Sequence, residues 1–224
     1  MSFTVAAGEN AALAGANGAG KTSLLLAMTG ILPLGSGLIR INGLEIPGGK
    51  KLSGKAGEER LRELRRRVGL VFQNPEDQLF MPSIREDLAF GPRNMGLAGE
   101  EVARRVDAAL DRLGIRYLGD RSPLKLSGGE KRLAAIASVL TMEPAVMLFD
   151  EPTAFLDPAS RRTLMAILKT LPHTKLIATH DLDFAAELCG QAIFLREGRV
   201  LEQGRADLLL RDSSLINRVF FSVT

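Results

Sequence analysis

Eight residues near the start of the chain, Gly15-Ala16-Asn17-Gly18-Ala19-Gly20-Lys21-Thr22, satisfy the whole pattern G-x-x-x-x-G-K-[ST]. They lie between an apolar segment, Ala11 to Ala14, and a helix-forming one, Ser23 to Met28, which is the setting in which such a string is a phosphate-binding loop. Its glycines let the backbone curl until several N–H groups face one anion, and the following helix adds the positive end of its dipole. Lys21 is expected to reach the β and γ phosphates of ATP, and the Thr22 hydroxyl to ligate Mg²⁺. The candidate nucleotide contacts are therefore Gly15, Asn17, Gly18, Ala19, Gly20, Lys21, Thr22 and Ser23.

A strand, a tight loop and a helix at one end call for an α/β fold, and the rest of the chain agrees. Short apolar stretches at Leu13, Leu38 to Ile41, Val68 to Phe72, Val146 to Phe149, Leu176 to Ala178 and Ile193 to Leu195 read as strands. Runs such as Ala145 to Phe149 are apolar on both faces, as in a parallel sheet covered on each side. Between Gln73 and about Thr141 strand-like runs disappear, and helical segments follow from Ser83 to Phe90, Gly99 to Leu113 and Glu130 to Met142. The expected organisation is one domain: a nucleotide-binding core over 1–73 and 142–224, with a helical subdomain over 74–141 inserted in it. Pro47 to Gly57, with four glycines, reads as an exposed loop.

With 224 residues and 46% hydrophobic content the chain can bury a full core. No apolar run approaches the roughly 18 residues of a membrane-spanning helix, and the N-terminus lacks the pattern of a signal peptide, so a soluble chain that stays where it is made is expected. A net charge of +3, from 29 basic and 26 acidic residues, gives no nucleic-acid signal. The run Arg60 to Arg67 is interleaved with Glu63 and preceded by Glu58 and Glu59, the pattern of a solvated helix face with local ion pairs. One cysteine, Cys189, excludes an internal disulfide and a cysteine metal cluster and reads as a small buried residue.

Two further strings carry chemistry. Asp150 ends an apolar strand, where a carboxylate emerges at the carboxyl edge of the sheet and can hold Mg²⁺ directly or through water. Glu151 points elsewhere and can act on the attacking water. Ser127-Gly128-Gly129-Glu130 reads as a capping box in front of a helix, and a capped start bearing two glycines also offers N–H groups and a hydroxyl to an anion.

The order of these strings resembles that of the nucleotide-binding subunits of ABC transporters, and more narrowly the ATP-binding subunits of energy-coupling-factor uptake systems. The resemblance covers nearly the whole chain. It implies a P-loop NTPase (RecA-like) nucleotide-binding core with a small antiparallel β part and an inserted α-helical subdomain. It makes Asp150-Glu151-Pro152-Thr153 the metal aspartate and catalytic glutamate, and Leu126 to Glu130 the signature, whose Ser127, Gly128 and Gly129 contact ATP bound to a second subunit. Gln73 resembles the glutamine that senses Mg²⁺ and water, and the wording Val71 to Phe80 followed by Glu86 to Pro92 is reminiscent of energy-coupling-factor ATPases in particular. Asp157, in Leu156-Asp157, resembles the D-loop aspartate, and His180 the switch histidine that hydrogen-bonds the γ phosphate; His173 has no such setting. Three positions depart from the pattern. Glu130 stands where most relatives have Gln, and Phe155 where a smaller residue is common. Phe3 reads as core rather than as the aromatic that stacks on adenine, so adenine is expected to be held weakly or by residues upstream.

The resemblance implies an ATP hydrolase acting as the motor of an uptake transporter, importing cobalt or nickel ions, on the cytoplasmic face of the cell membrane. Implied partners are a transmembrane coupling subunit, a substrate-binding membrane component, and a second copy of this chain or a related ATPase. The alternatives are the same role for a vitamin such as biotin, and a soluble ABC ATPase outside transport.

Overall fold

The structure is a computed structural model and describes residues 1–49 and 54–220. Its centre is a six-stranded sheet built from β1 (Asn10–Ala14), β4 (Val68–Val71), β5 (Val146–Asp150), β6 (Thr174–Thr179), β7 (Gln191–Arg196) and β8 (Arg199–Arg205) in the order β4-β5-β6-β1-β7-β8. All neighbours run parallel except β8, which returns antiparallel to β7. β2 (Leu38–Ile41) and β3 (Leu44–Pro47) form a separate antiparallel pair.

Strand periodicity divides the core in two. Ala12 and Ala14 of β1, Phe149 of β5, Ile177 of β6 and Phe194 of β7 face one layer. Ala11, Leu13, Leu148, Leu176 and Ile193, one residue out of step, face the other. Both faces are dry, which explains why these strands read as continuous apolar runs. Burying a residue such as Phe149 or Leu13 completely contributes roughly 1.5–3 kcal/mol. The first layer is covered by α3 (Ile84–Asn94), α4 (Gly99–Arg112), α5 (Gly128–Leu140), α6 (Pro158–Thr170) and α7 (Leu182–Leu188), and the second by α1 (Lys21–Met28), α2 (Gly54–Arg67) and the β2–β3 pair. Phe3 is partly buried against the second layer. The chain closes with α8 (Ala206–Leu209) and α9 (Ser213–Phe220).

The stretch read as a loop from Pro47 to Gly57 divides differently. Pro47 ends β3, residues 50–53 lie outside the described residues, and Gly54 opens α2 with Gly57 buried. Leu61 and Leu64 pack α2 onto the sheet, and that burial outweighs the poor helix propensity of glycine. The basic run lies on this helix: Arg67 pairs with Glu63 at 2.8 Å, whereas Arg62, Arg65 and Arg66 line a groove. Two hairpins escaped the sequence reading. Asn42-Gly43 and Glu197-Gly198, all four with positive φ, are the two-residue turns that join β2 to β3 and β7 to β8. Between β4 and β5 every regular element is helical, with α3, α4 and α5 packed on one another.

Candidate active site

In a parallel sheet every strand ends at the same edge, so the loops that follow the strands meet there. β1 delivers the phosphate loop, β4 delivers Gln73, β5 delivers Asp150 and Glu151, and β6 delivers His180. Nine residues of these loops line one cavity of about 260 Å³: Asn17, Gly18, Gly20, Lys21, Thr22, Ser23, Gln73, Glu151 and His180.

The phosphate loop owes its path to three glycines. Gly18 and Gly20 have φ of 80° and 100°, a region costly for side chains, and a Cβ on Gly15 would sit 2.5 Å from the Leu195 carbonyl oxygen. Gly20 caps α1 without a side-chain hydrogen bond, so the first N–H groups of the helix stay available to a ligand. Ala19 is buried behind the loop rather than lining the cavity. Lys21 is buried; its Nζ donates to the Gly15 and Ala16 carbonyls at 2.7 and 3.3 Å and lies 3.5 Å from Glu151 Oε1.

Asp150 and Glu151 part as expected. Asp150 is buried beneath the cavity, where it accepts from the Thr22 hydroxyl while Oδ1 has no partner. Burial raises its pKa above the ordinary value; the Thr22 hydrogen bond opposes that shift. Glu151 turns into the cavity with φ 43°, a conformation costing on the order of 1 kcal/mol. Its N–H donates to Ala178 O at 2.8 Å, and its Oε2 accepts from the His180 N–H at 3.2 Å and lies 2.9 Å from His180 Nδ1. Arg161 holds the next residue, Asp181, through two bonds of 2.8 and 2.9 Å.

The signature residues face elsewhere. Ser127 caps α5: its Oγ accepts from Glu130 N at 3.3 Å, and Glu130 Oε2 accepts from Ser127 N and Oγ, both at 2.9 Å. These bonds hold the Glu130 carboxyl below its ordinary pKa. Ser127, Gly129 and Glu130 line a second cavity of about 210 Å³ with Leu156, Ala159 and Ser160. Gly128 faces open space; a Cβ on Gly129 would meet Ser160 Oγ at 2.5 Å. Asp157 caps α6 through Ala159 N (2.8 Å) and Ser160 N (3.0 Å), and its pKa is lowered chiefly by the Ser160 hydroxyl. Phe155 stands 93% exposed with φ 63°. The sixteen sequence candidates thus fall into a nucleotide-side cluster and a separate surface formed by Ser127, Gly128, Gly129 and Asp157.

Cys189 is buried, which pushes its thiol up to about 12, and His173, whose pKa burial lowers, lies away from both cavities. Sequence reasoning missed Arg132, Gln78 and Arg161, which hold the loops around the nucleotide-side cavity from behind. Their only signal was a polar residue within an apolar helix or beside a motif.

The ABC transporter family model matches residues 1–154. The chain belongs to the ABC transporter family. It is an ABC-type ATP hydrolase, and its α/β fold is that of solved cassettes. A putative ABC transporter ATP-binding protein of Streptomyces avermitilis is 47% identical over 96% of this chain and 79% of its own length. The cobalt import ATP-binding protein CbiO of Syntrophus aciditrophicus is 41% identical over 94% of this chain and 72% of its own. The structure of cbiO1 from Clostridium perfringens, part of the ABC transporter complex cbiONQ, superposes with a TM-score of 0.80 at 38% identity, covering 97% of this chain and 85% of that one. A cassette captured as a dimer after hydrolysis, with ADP and Pi, gives a TM-score of 0.76 at 25% identity over 91% of this chain and 88% of that one. Among the described residues no helix is long and apolar enough to cross a membrane.

Proposed function

We propose that this ABC ATPase is the motor subunit of an energy-coupling-factor uptake system that imports cobalt or nickel ions. The observation that carries the reading is the meeting of Lys21, Gln73, Glu151 and His180 in one cavity while Ser127 and Gly129 line another. Lys21 and the N–H groups at the start of α1 take the β and γ phosphates of ATP. The donor set fits Mg²⁺: the Thr22 hydroxyl and the orphaned Asp150 Oδ1 lie beneath the phosphate loop, with Gln73 on the cavity wall. Bound there, Mg²⁺ would neutralise charge on the transferred phosphoryl group.

Glu151 takes the proton of the attacking water, and His180, oriented by Glu151, faces the γ phosphate. Ser127, Gly128, Gly129 and Asp157 complete the site of a second copy or a related ATPase, as the dimeric cassette suggests. Residues 74–141 form the helical subdomain of the cassette. A groove of about 540 Å³ beside it, lined by Arg62, Phe72, Asp77, Phe80, Asp87 and Phe90, receives a transmembrane coupling subunit and holds the ATPase at the cytoplasmic face of the membrane. Phe80 and Phe90 meet edge to face at 5.2 Å on its wall yet are 61% and 41% exposed, so the groove offers apolar surface to a partner. The cobalt import name of the CbiO relative and the energy-coupling-factor name of EcfA favour this reading; the EcfA name specifies no cargo, and a vitamin is the second one.

The test is purification of the tagged full chain from its own membranes, followed by uptake of labelled cobalt and nickel with and without Lys21→Ala. Recovery of membrane subunits, with uptake lost in the variant, is expected. A chain without membrane partners overturns the transport role, and intact metal uptake in the variant overturns the cargo.

A further inference from the structure

Arg132 is one of the most deeply buried side chains in the protein, at 1% exposure, and nothing in the nucleotide chemistry above uses it. It sits on α5, five residues after Ser127 and about 7–8 Å further along the helix axis. Its guanidinium fork reaches out of the helix to two successive carbonyls, Nη1 donating to Phe72 O and Nη2 to Gln73 O, each at 2.7 Å. Its Nε has no partner. The charge facing it is Asp150, whose Oδ1 is also buried without a partner.

A buried cation costs several kcal/mol before compensation, whereas a neutral amide could satisfy a loop carbonyl for far less. One feature of Arg132 is beyond an amide. A planar fork holding consecutive carbonyls orients the peptide that enters Gln73, so the backbone from which the amide side chain projects toward the nucleotide cavity is held. The rest of the loop hangs from the same helix. Lys131 binds Glu76, and the Gln78 amide donates to Ala135 O and Ser138 Oγ, both at 2.8 Å. Asp77 and Gln78 line the groove, while Ser127 caps the other end of α5.

We infer that Arg132 is a positioning residue for hydrolysis, holding Gln73 over the nucleotide and tying its loop rigidly to the signature helix. The inference rests on the role given to Gln73 above. Arg132 touches no reacting atom; it acts through the Gln73 backbone.

The experiment is a double-mutant cycle on steady-state ATP hydrolysis by the full chain, with ATP affinity and thermal unfolding measured for every variant. Gln73→Ala and Arg132→Lys are each expected to lower kcat by about tenfold or more, with ATP affinity within about threefold of the parent. The double variant should fall no more than about twofold below the slower single one, because both changes disable one element. Arg132→Met, which keeps bulk and removes all donors, should behave like Arg132→Lys if it folds. Losses that multiply in the double variant would overturn the inference. So would an Arg132→Lys that unfolds at lower temperature with its kcat intact. An undiminished kcat in Gln73→Ala would fell the role of Gln73 first, and this inference with it.

Discussion

Glu151 and His180 are joined twice, through the His180 N–H at 3.2 Å and through Nδ1 at 2.9 Å, both to the same carboxylate oxygen. The backbone and the ring of His180 thus face one and the same oxygen of Glu151. The other oxygen lies 3.5 Å from Lys21 Nζ. Three strand ends, those of β1, β5 and β6, are thereby coupled through one side chain.

Glu151→Gln keeps the size of the side chain and loses its basicity. ATP affinity should change by less than about threefold while kcat falls roughly 100-fold or more, the usual scale of a lost general base. Single-turnover hydrolysis beside equilibrium titration checks it; a kcat near the parent value would exclude Glu151 as the base.

The nucleotide cavity and the signature cavity share no lining residue, and the proposed function has each site closed by the signature segment of a second chain. Lys21→Ala and Ser127→Arg subunits should each be inactive alone. Mixed, they should regain activity in heterodimers, which hold one intact composite site. No recovery in heterodimers isolated through two different tags would count against sharing between subunits.

Glu130 is a carboxylate held below its ordinary value of 4.5 by the capping box. Its contribution to stability is fully present above that value and is lost as pH falls through the lower folded-state pKa. Glu130→Gln keeps the cap without titrating. The two proteins should unfold within a degree or two at pH 7, and the parent should lose about 0.5 kcal/mol relative to the variant below pH 4, a part-exposed group being screened. Parallel melting curves across that range would show that the bond to Ser127 carries no such linkage.

Gly15→Ala places a methyl carbon 2.5 Å from a main-chain oxygen of β7, which cannot rotate away. A loss of about 1–3 kcal/mol in unfolding free energy is expected, together with weaker ATP binding, because the phosphate loop must shift. Denaturant unfolding with ATP titration measures both. Unchanged values would mean that the loop has another path past Leu195.

The sequence alone determined the strands that form the buried sheet, because parallel strands covered on both faces are apolar throughout, and it picked out the loop from Gly15 to Thr22, because a phosphate-binding loop is a local string. The signal of a helix start was equally legible: Ser127 and Glu130 close the box their spacing called for. β8 was lost because an edge strand with one wet face carries Arg199, Glu202, Gln203 and Arg205 and no apolar run. α2 was lost in part because Gly54 and Gly57 look like loop until Leu61 and Leu64 find the sheet. Only the tertiary structure decided which motifs share a cavity, through a strand order that sets β6 between β1 and β5, and only it brought Arg132 to the Gln73 carbonyl. The Arg132 bonds join residues about sixty apart, and chain sequence encodes all these contacts through the packing of whole elements rather than through any local pattern.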